Sequence, residues 1–384
     1  MSRLEELIQQ HCPDGVEYKK LGDVCLMERG TSATKGTMQE GDIPVISGGR
    51  QPAFYCSQSN RTGETITVAG SGAGAGYVQY WDKPIFVCDA FSIKGNDSLN
   101  TKYIYYFLTS IQEKIYATKK GGGVPHVHIS SIDKFVIPVP PLPVQEEIVR
   151  ILDNFAELQA ELQAELQKRL QQYNYYRDKL LSFNDLNGGG YAVSVEWKKL
   201  GEIGKVCMCK RILKEQTSST GDIPFFKIGT FGGSADAYIS KELFDEYVKK
   251  YSYPKKGDIL ISAAGTIGRT VVFDGTPSYF QDSNIVWLKH DESVVLNSYL
   301  RYIYSLNPWA VSTGGTIARL YNDNILNAVI PVPPLTEQQR IVDILDRFNT
   351  LTTDITAGLP AEIEARRKQY EYYRDQLLTF KQKA

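Results

Sequence analysis

The sequence predicts an α+β protein: two pseudo-symmetric α+β domains joined by two long antiparallel coiled-coil helices. Three observations predict this class. The stretch IPVPPLPVQEEIVRILDNF (137–155) returns as IPVPPLTEQQRIVDILDRF (330–348), which marks an internal repeat. Short β-branched and aromatic segments bounded by Gly, Pro or Asp precede each copy, as expected of strands. A long stretch with apolar residues at helical spacing follows each copy.

The repeat extends over nearly the whole chain. VEYKKLGDV (16–24) matches VEWKKLGEI (195–203), and YNYYRDKLLSF (173–183) matches YEYYRDQLLTF (370–380). Between these flanks the copies agree mainly at Gly, Pro and apolar positions, whereas their polar residues differ. One fold with two different recognition surfaces would have this pattern, so we expect each copy of roughly 190 residues to have its own target.

The first part of each copy is predicted to be rich in strands. In the first copy the candidate strands are IPVIS, TITVA, GYVQYW, IFVCD and FVIPVP. Helices are predicted near 101–118 and 297–306, and a further one at 241–251. Mixed strands and helices of this kind predict an α+β domain in each copy.

The second part of each copy is predicted to be one long helix. Residues 144–183 contain neither Pro nor Gly, and their apolar residues keep helical spacing over about 40 positions, or ~60 Å. The matching helix starts near Thr336, and Gly358 and Pro360 should break it before it restarts. The tetrads AELQAELQAELQ (156–167) are either favourable helix composition or an element that sets the helix length.

Bulk composition sets limits on the class of protein. The chain has 384 residues and a net charge of -1, which fits two domains and gives no overall basic character. A polyanion could then be bound only through Lys and Arg gathered on one face. The six cysteines have no disulfide-like spacing, which favours a reducing cytoplasm, and no apolar run reaches membrane-spanning length.

Motifs for catalysis are weak or absent. TITVAGSGAGAG (65–76) fits a dinucleotide-binding G-x-G-x-x-A pattern, but a strand follows it, so a glycine-rich hairpin tip is predicted instead. Asp14, Glu17 and Lys19 faintly resemble a nuclease site, yet the second copy has no matching acid before Glu196. The paired Cys207 and Cys209 lie in the other copy from the histidines at 126 and 128, so no metal site is predicted.

The motif IPVPPL followed by xxQxxIVxILDxF, with a helix ending in YxYYRDxLLxF, occurs twice. This pattern resembles the specificity subunits of type I restriction-modification enzymes. The resemblance implies a non-catalytic subunit whose target recognition domains (1–142 and 187–335) each bind one half of a bipartite, asymmetric DNA site. A central conserved helix (143–186) and a distal one (336–384) would set the half-site spacing and dock two modification (methyltransferase) subunits.

The resemblance also implies where the chemistry resides. No cofactor is expected on this chain, whereas S-adenosylmethionine, ATP and Mg are expected on the modification and restriction (translocase and nuclease) subunits. The expected partners are therefore double-stranded DNA and these subunits, in the cytoplasm and without a membrane.

Candidate DNA-binding residues lie on glycine-bounded loops and differ between the copies, and they carry the donors that contact bases and phosphates. They are Ser71, Lys119, Lys120, His126, His128, Lys210, Arg211, Thr266, Arg269, Thr316, Arg319 and Tyr321. Any one of them could instead be an ordinary solvated side chain.

Two other functions remain open at this point. A stand-alone sequence-specific DNA nuclease or methylase is disfavoured by the missing motifs. A non-catalytic coiled-coil scaffold is mildly favoured by the near-neutral charge, and salt-dependent DNA binding would exclude it.

Overall fold

The computed structural model describes residues 2–183, 194–310, 319–354 and 356–383. The chain forms two compact units, of which unit 1 comprises Met1–Ala164 and Ala361–Ala384, and unit 2 comprises Glu165–Pro360. Unit 1 therefore takes residues from both ends of the printed sequence, whereas unit 2 is one continuous segment.

Unit 1 is a mixed α and β domain built as three small sheets. Its strands are β1 (Glu17–Lys20), β2 (Cys25–Arg29), β3 (Ile43–Ile46), β4 (Phe54–Cys56), β5 (Thr65–Ala69), β6 (Val78–Trp81), β7 (Phe86–Val87), β8 (Ala90–Gly95) and β9 (Val136–Val139). Its shorter helices are α1 (Arg3–His11), α2 (Leu21–Val24), α3 (Thr101–Ser110), α4 (Gln112–Tyr116) and α5 (Ile129–Ile132). The sheet orders are β2-β8-β5-β6, β4-β3-β7 and β1-β9, with β3 and β7 parallel.

The long helix predicted after the first IPVPPL is α6, Leu142–Ser182, with 41 residues. Because α6 continues past residue 164, its first part lies in unit 1 and its second part in unit 2. The predicted apolar stripe is buried at Val144, Ile148 and Leu152. Within the tetrads Leu158 is 49% exposed, whereas Leu162 and Leu166 are half-buried, so only part of the stripe is covered there.

Unit 2 repeats the strand order of unit 1. Its strands are β10 (Glu196–Lys199), β11 (Lys205–Met208), β12 (Ile223–Phe226), β13 (Tyr238–Ile239), β14 (Ile259–Ser262), β15 (Thr270–Val272), β16 (Tyr279–Phe280), β17 (Ile285–Lys289) and β18 (Val329–Val332). Its helices after α6 are α7 (Leu200–Ile203), α8 (Lys241–Lys250), α9 (Asn297–Ser305), α10 (Asn322–Leu326) and α11 (Leu335–Thr353). The sheet orders β11-β17-β14-β15, β13-β12-β16 and β10-β18 match those of unit 1 strand for strand.

The second long helix is interrupted as predicted. Helix α11 ends at Thr353, and α12 (Leu359–Leu377) begins immediately after Gly358. A Cβ on Gly358 would lie 2.5 Å from the carbonyl oxygen of Thr350, so the close backbone approach at the break requires glycine. Most of α12 belongs to unit 1.

The glutamine of the repeated motif anchors each long helix to its domain. Gln145 is fully buried; its Nε2 donates to Ser98 O at 2.9 Å and Pro140 O at 2.6 Å, and its Oε1 accepts from Asn100 N at 2.8 Å. In unit 2, the buried Gln338 makes the equivalent three bonds with Val294, Pro333 and Leu296. Both copies of the motif contain this glutamine because it satisfies three backbone groups where the strands meet the helix.

The aromatic residues of the motif join helix segments within each unit. In unit 1 the Phe155 ring lies 5.6 Å from Tyr373 and 6.4 Å from Tyr370, measured between ring centroids. In unit 2 the Tyr176 ring lies 5.8 Å from Phe348.

Among the described residues, no helix combines the length and the apolar character that crossing a membrane requires.

Candidate nucleic-acid interface

Unit 1 contains an open cleft of about 680 Å³, here named cleft 1. It lies where β2, β5 and β7 end, beside the residues that precede α5. The side chains that give it polar character are Arg29, Ser32, Ser47, Cys88, Asp89, His126 and His128.

The predicted glycine-rich hairpin tip between β5 and β6 borders cleft 1 through Gly70. The Ser71 hydroxyl donates to the Asp89 carboxylate, and Ser71 pairs with His126 through a backbone bridge. Gly48 lies directly against this tip, since a Cβ there would be 2.2 Å from the Ser71 carbonyl oxygen. The tip is therefore held between two other loops and can present its side chains at a fixed position.

The two histidines of the KKGGGVPHVH loop form a parallel pair. The His126 and His128 ring centroids are 6.1 Å apart, with an interplanar angle of 1°. Arg29 Nη2 lies 3.2 Å from His128 Nδ1. A guanidinium can only donate, so this nitrogen accepts and the ring proton is assigned to Nε2. His128 therefore offers a donor to a ligand while its other side stays fixed by Arg29.

The two lysines of the same loop have different settings. The Lys119 Nζ lies 4.2 Å from the centroid of the Tyr116 ring, a cation–π contact. Lys120 pairs with His126 through two backbone hydrogen bonds of 2.9 and 2.8 Å, which close the loop. Of the five candidates in unit 1, Ser71, Lys120 and the two histidines are thus joined in one connected structure at cleft 1.

Unit 2 has a cleft of about 450 Å³, here named cleft 2. It lies just beyond β16, the strand of unit 2 that corresponds to β7 of unit 1. Two of the candidate residues, Arg211 and Arg319, line it. Arg211 Nε lies 3.0 Å from Asp282 Oδ2, and Arg319 Nη2 donates to Ser283 O at 2.9 Å. Tyr321 is 56% exposed, and its ring centroid lies 6.0 Å from the Arg319 guanidinium carbon.

Among the described residues, the remaining candidates of unit 2, Tyr321 included, do not line cleft 2. The Lys210 Nζ lies 5.2 Å from the Tyr251 ring, and the Arg269 Nη2 donates to Gly232 O at 3.1 Å. Thr266 lies in the turn between β14 and β15, where its carbonyl oxygen accepts from the Ser262 hydroxyl. Thr316 lies outside the described residues.

Several polar residues of the two clefts were missed from the sequence. In cleft 1 these are Arg29 and Asp89, and in cleft 2 they are Lys214, Lys227, Gln281, Asp282 and Asn284. One signal could have found the aspartates. Asp89 in FVCDAF and Asp282 in YFQDSN occupy the same place after β7 and β16, although most polar residues around them differ.

Neither cleft is built like a metal centre. Within the described ranges, no group of three or more His, Cys, Asp or Glu side chains is arranged to hold a metal ion. Cys209 is buried, which raises the pKa of its thiol to about 12 and keeps it protonated at neutral pH. The clefts instead offer a set of hydrogen-bond donors and acceptors on rigid loops.

Comparison with known proteins adds the family. The model of a family described as the type I restriction modification DNA specificity domain matches residues 13–172 and again 193–365. A putative type I restriction enzyme specificity subunit of Haemophilus influenzae is 46% identical in an alignment that covers 95% of this chain and 96% of that protein. A type I restriction enzyme specificity subunit of Escherichia coli is 32% identical, covering 99% and 97% of the two chains.

Solved structures give the same fold at low identity. The type I restriction-modification S subunit from M. genitalium has a TM-score of 0.54 at 18% identity, covering 94% of this chain and 95% of its own. A chain from a structure describing complex assembly and conformational transition of the type I R-M system has a TM-score of 0.58 at 18% identity, covering 95% and 97%.

Proposed function

Because the chain belongs to the type I restriction modification DNA specificity family, we propose that it selects the DNA sequence on which a type I restriction-modification complex acts. The observation that carries this proposal is the pair of clefts: the same strand order builds both, yet their polar side chains differ. Two domains of one fold with different hydrogen-bonding groups suit a site with two different halves.

In this proposal the domains 1–142 and 187–335 each bind one half-site. The conserved helices 143–186 and 336–384 act as the spacer between them. Most polar groups that line clefts 1 and 2 would contact bases, while lysines such as Lys119, and Lys214 in cleft 2, would contact phosphates. The subunit itself has no catalytic role.

The spacer helices would also dock two modification subunits. Support comes from exposed apolar residues that recur at matching positions, although the two domains otherwise differ. Tyr175 is 60% exposed and Tyr372 62%, and Val136 and Val329 are 47% and 48% exposed. Unit 1 carries Val136 and Tyr372, whereas unit 2 carries Val329 and Tyr175, so each unit has a complete set. Two matching sets of exposed apolar residues would suit two copies of one partner.

The remaining chemistry would reside on those partners. Modification subunits would bring S-adenosylmethionine, and restriction subunits would bring ATP and Mg, so the chain needs no cofactor of its own. The assembled complex would work on double-stranded DNA in the cytoplasm.

Genome-wide mapping of methyladenine, with and without this gene, tests the proposal. We expect a two-part motif that disappears when the gene is removed. The purified chain with its modification partner should bind that motif with salt-dependent affinity. Cleavage or methylation by the chain alone would favour the nuclease or methylase alternative, and absence of DNA binding would favour a scaffold.

A further inference from the structure

Asp89 and Asp282 occupy the same position in the two units. Each lies just after the short strand, β7 or β16, that pairs in parallel with β3 or β12. Each also lines the cleft of its own unit. The two carboxylates can therefore be compared directly, and their surroundings differ.

In unit 2 the carboxylate is neutralised within the protein. Asp282 is only 17% exposed at its side chain, and its Oδ2 lies 3.0 Å from Arg211 Nε. Its neighbours in cleft 2 include Lys214 and Arg319, so this cleft offers mainly donors. Asp282 thus has a structural partner and little capacity left for a ligand.

In unit 1 the carboxylate has no cationic partner among the described residues. Asp89 is exposed, and among the described residues it accepts a hydrogen bond only from the neutral hydroxyl of Ser71. Arg29, the cation that lines the same cleft, is instead directed to His128. Asp89 is also the one acidic residue among those that line cleft 1.

An unpaired carboxylate in a DNA-binding cleft can contact only some of the chemical groups of DNA favourably. Placed near a phosphate it would be repelled, which would weaken binding. The favourable partners in the major groove are the exocyclic amino groups, N4 of cytosine and N6 of adenine, because a carboxylate is purely an acceptor. Arg29, Lys119 and Lys120 lie in or beside the same cleft and could offset the phosphate charge.

We propose that Asp89 is a specificity-determining residue that reads the amino group of one cytosine or adenine in the half-site bound by unit 1. Ser71 is then a positioning residue, which orients the carboxylate from the glycine-rich tip. This inference rests on the proposed function, since it assumes that cleft 1 faces DNA.

The test combines protein variants with DNA that lacks the amino group. The chain, assembled with its modification partner, is measured for binding to its own site and to duplexes changed at each base pair of the half-site. In further duplexes a purine without N6 replaces adenine, or a pyrimidinone without N4 replaces cytosine. The position at which wild-type binding weakens identifies which of the two bases is read.

For the wild-type protein we expect removal of one amino group to weaken binding by roughly one order of magnitude. For Asp89→Ala that penalty should disappear, so the two changes are not additive. Asp89→Asn should change the preferred base at that position alone. Ser71→Ala should weaken the preference at that position without changing which base is preferred. Asp282→Asn, the matched control in unit 2, should leave the base preference in the half-site of unit 1 unchanged.

Other outcomes overturn the inference. An Asp89→Ala protein that keeps the full amino-group penalty would show that Asp89 does not read the base. An equal loss on every duplex by Asp89→Asn and Ser71→Ala would assign the carboxylate a structural role in holding the tip. A wild-type complex without any sequence preference would instead refute the proposed function.

Discussion

The buried glutamine of the repeated motif allows a quantitative prediction. Gln145→Leu keeps a side chain of similar size but removes three hydrogen bonds, to Ser98, Pro140 and Asn100. At about 1 kcal/mol for each bond, the loss is about 3 kcal/mol before any cost for the backbone groups left unpaired. Because 1.4 kcal/mol corresponds to a factor of ten, the local opening equilibrium should rise by about two orders of magnitude.

Hydrogen exchange followed by mass spectrometry measures this effect where it should occur. Peptides covering residues 98–104 and 136–140 should lose protection in Gln145→Leu, while unit 2 stays unchanged. Gln338→Leu should give the reciprocal result around Val294 and Leu296. Gln339→Leu is the matched control, since that exposed side chain contacts only Asp343 among the described residues. Equal protection in Gln145→Leu and Gln339→Leu would refute the anchoring role.

Three further predictions concern the spacer, a reading residue and acid stability. Inserting one AELQ tetrad after Gln167 lengthens α6 by ~6 Å and rotates the rest of the helix by ~40°. Methylome mapping should then show that the gap between the two half-sites is longer by about one or two base pairs. An active variant in which this gap is unchanged would contradict the spacer role. Arg319→Ala should abolish recognition of one half-site without unfolding the protein, and normal binding of the full site by the purified variant would exclude Arg319. Hydrogen bonds from Arg150 hold the pKa of Glu147 below its usual value. The charge of Glu147 therefore stabilises the fold fully above pH ~4.3, and this stabilisation is lost as the pH falls through the lowered pKa of the folded state. Glu147→Gln should therefore lower the melting temperature more at pH 7 than at pH 3, and a constant difference across that range would contradict the assignment.

The elements that depend on local sequence were predicted well. Helix α6 and the break at Gly358 were confirmed because chain geometry alone determines them: helical periodicity requires no distant contact, and Pro and Gly act locally. The exposure of Leu158 was not predicted, since periodicity identifies an apolar face but not whether a partner covers it. The role of Gln145 was also missed, because two of its three partners lie more than 40 positions away in sequence.

The polar residues of the two clefts could also be predicted from the sequence only in part. The glycine-rich tip predicted Ser71, and the KKGGGVPHVH loop predicted the two histidines, because both stretches are recognisable by themselves. Arg29 meets His128 across 99 positions and Asp89 meets Ser71 across 18, and no spacing rule connects them. Which polar groups remain available to a ligand depends on such pairings, so it can only be read from the folded chain.

Because unit 1 is built from two separate segments of the chain, it cannot be completed early in synthesis of the protein. Val16 N donates to Lys381 O and Lys383 N donates to Val16 O, both at 2.9 Å, and the Tyr18 hydroxyl donates to Phe380 O at 2.7 Å. During translation, unit 2 can close once residue 360 has left the ribosome, whereas β1 must wait for the segment after α12. The domain made first would therefore finish folding last, and a premature stop codon near residue 360 would leave its strands without their closing helix.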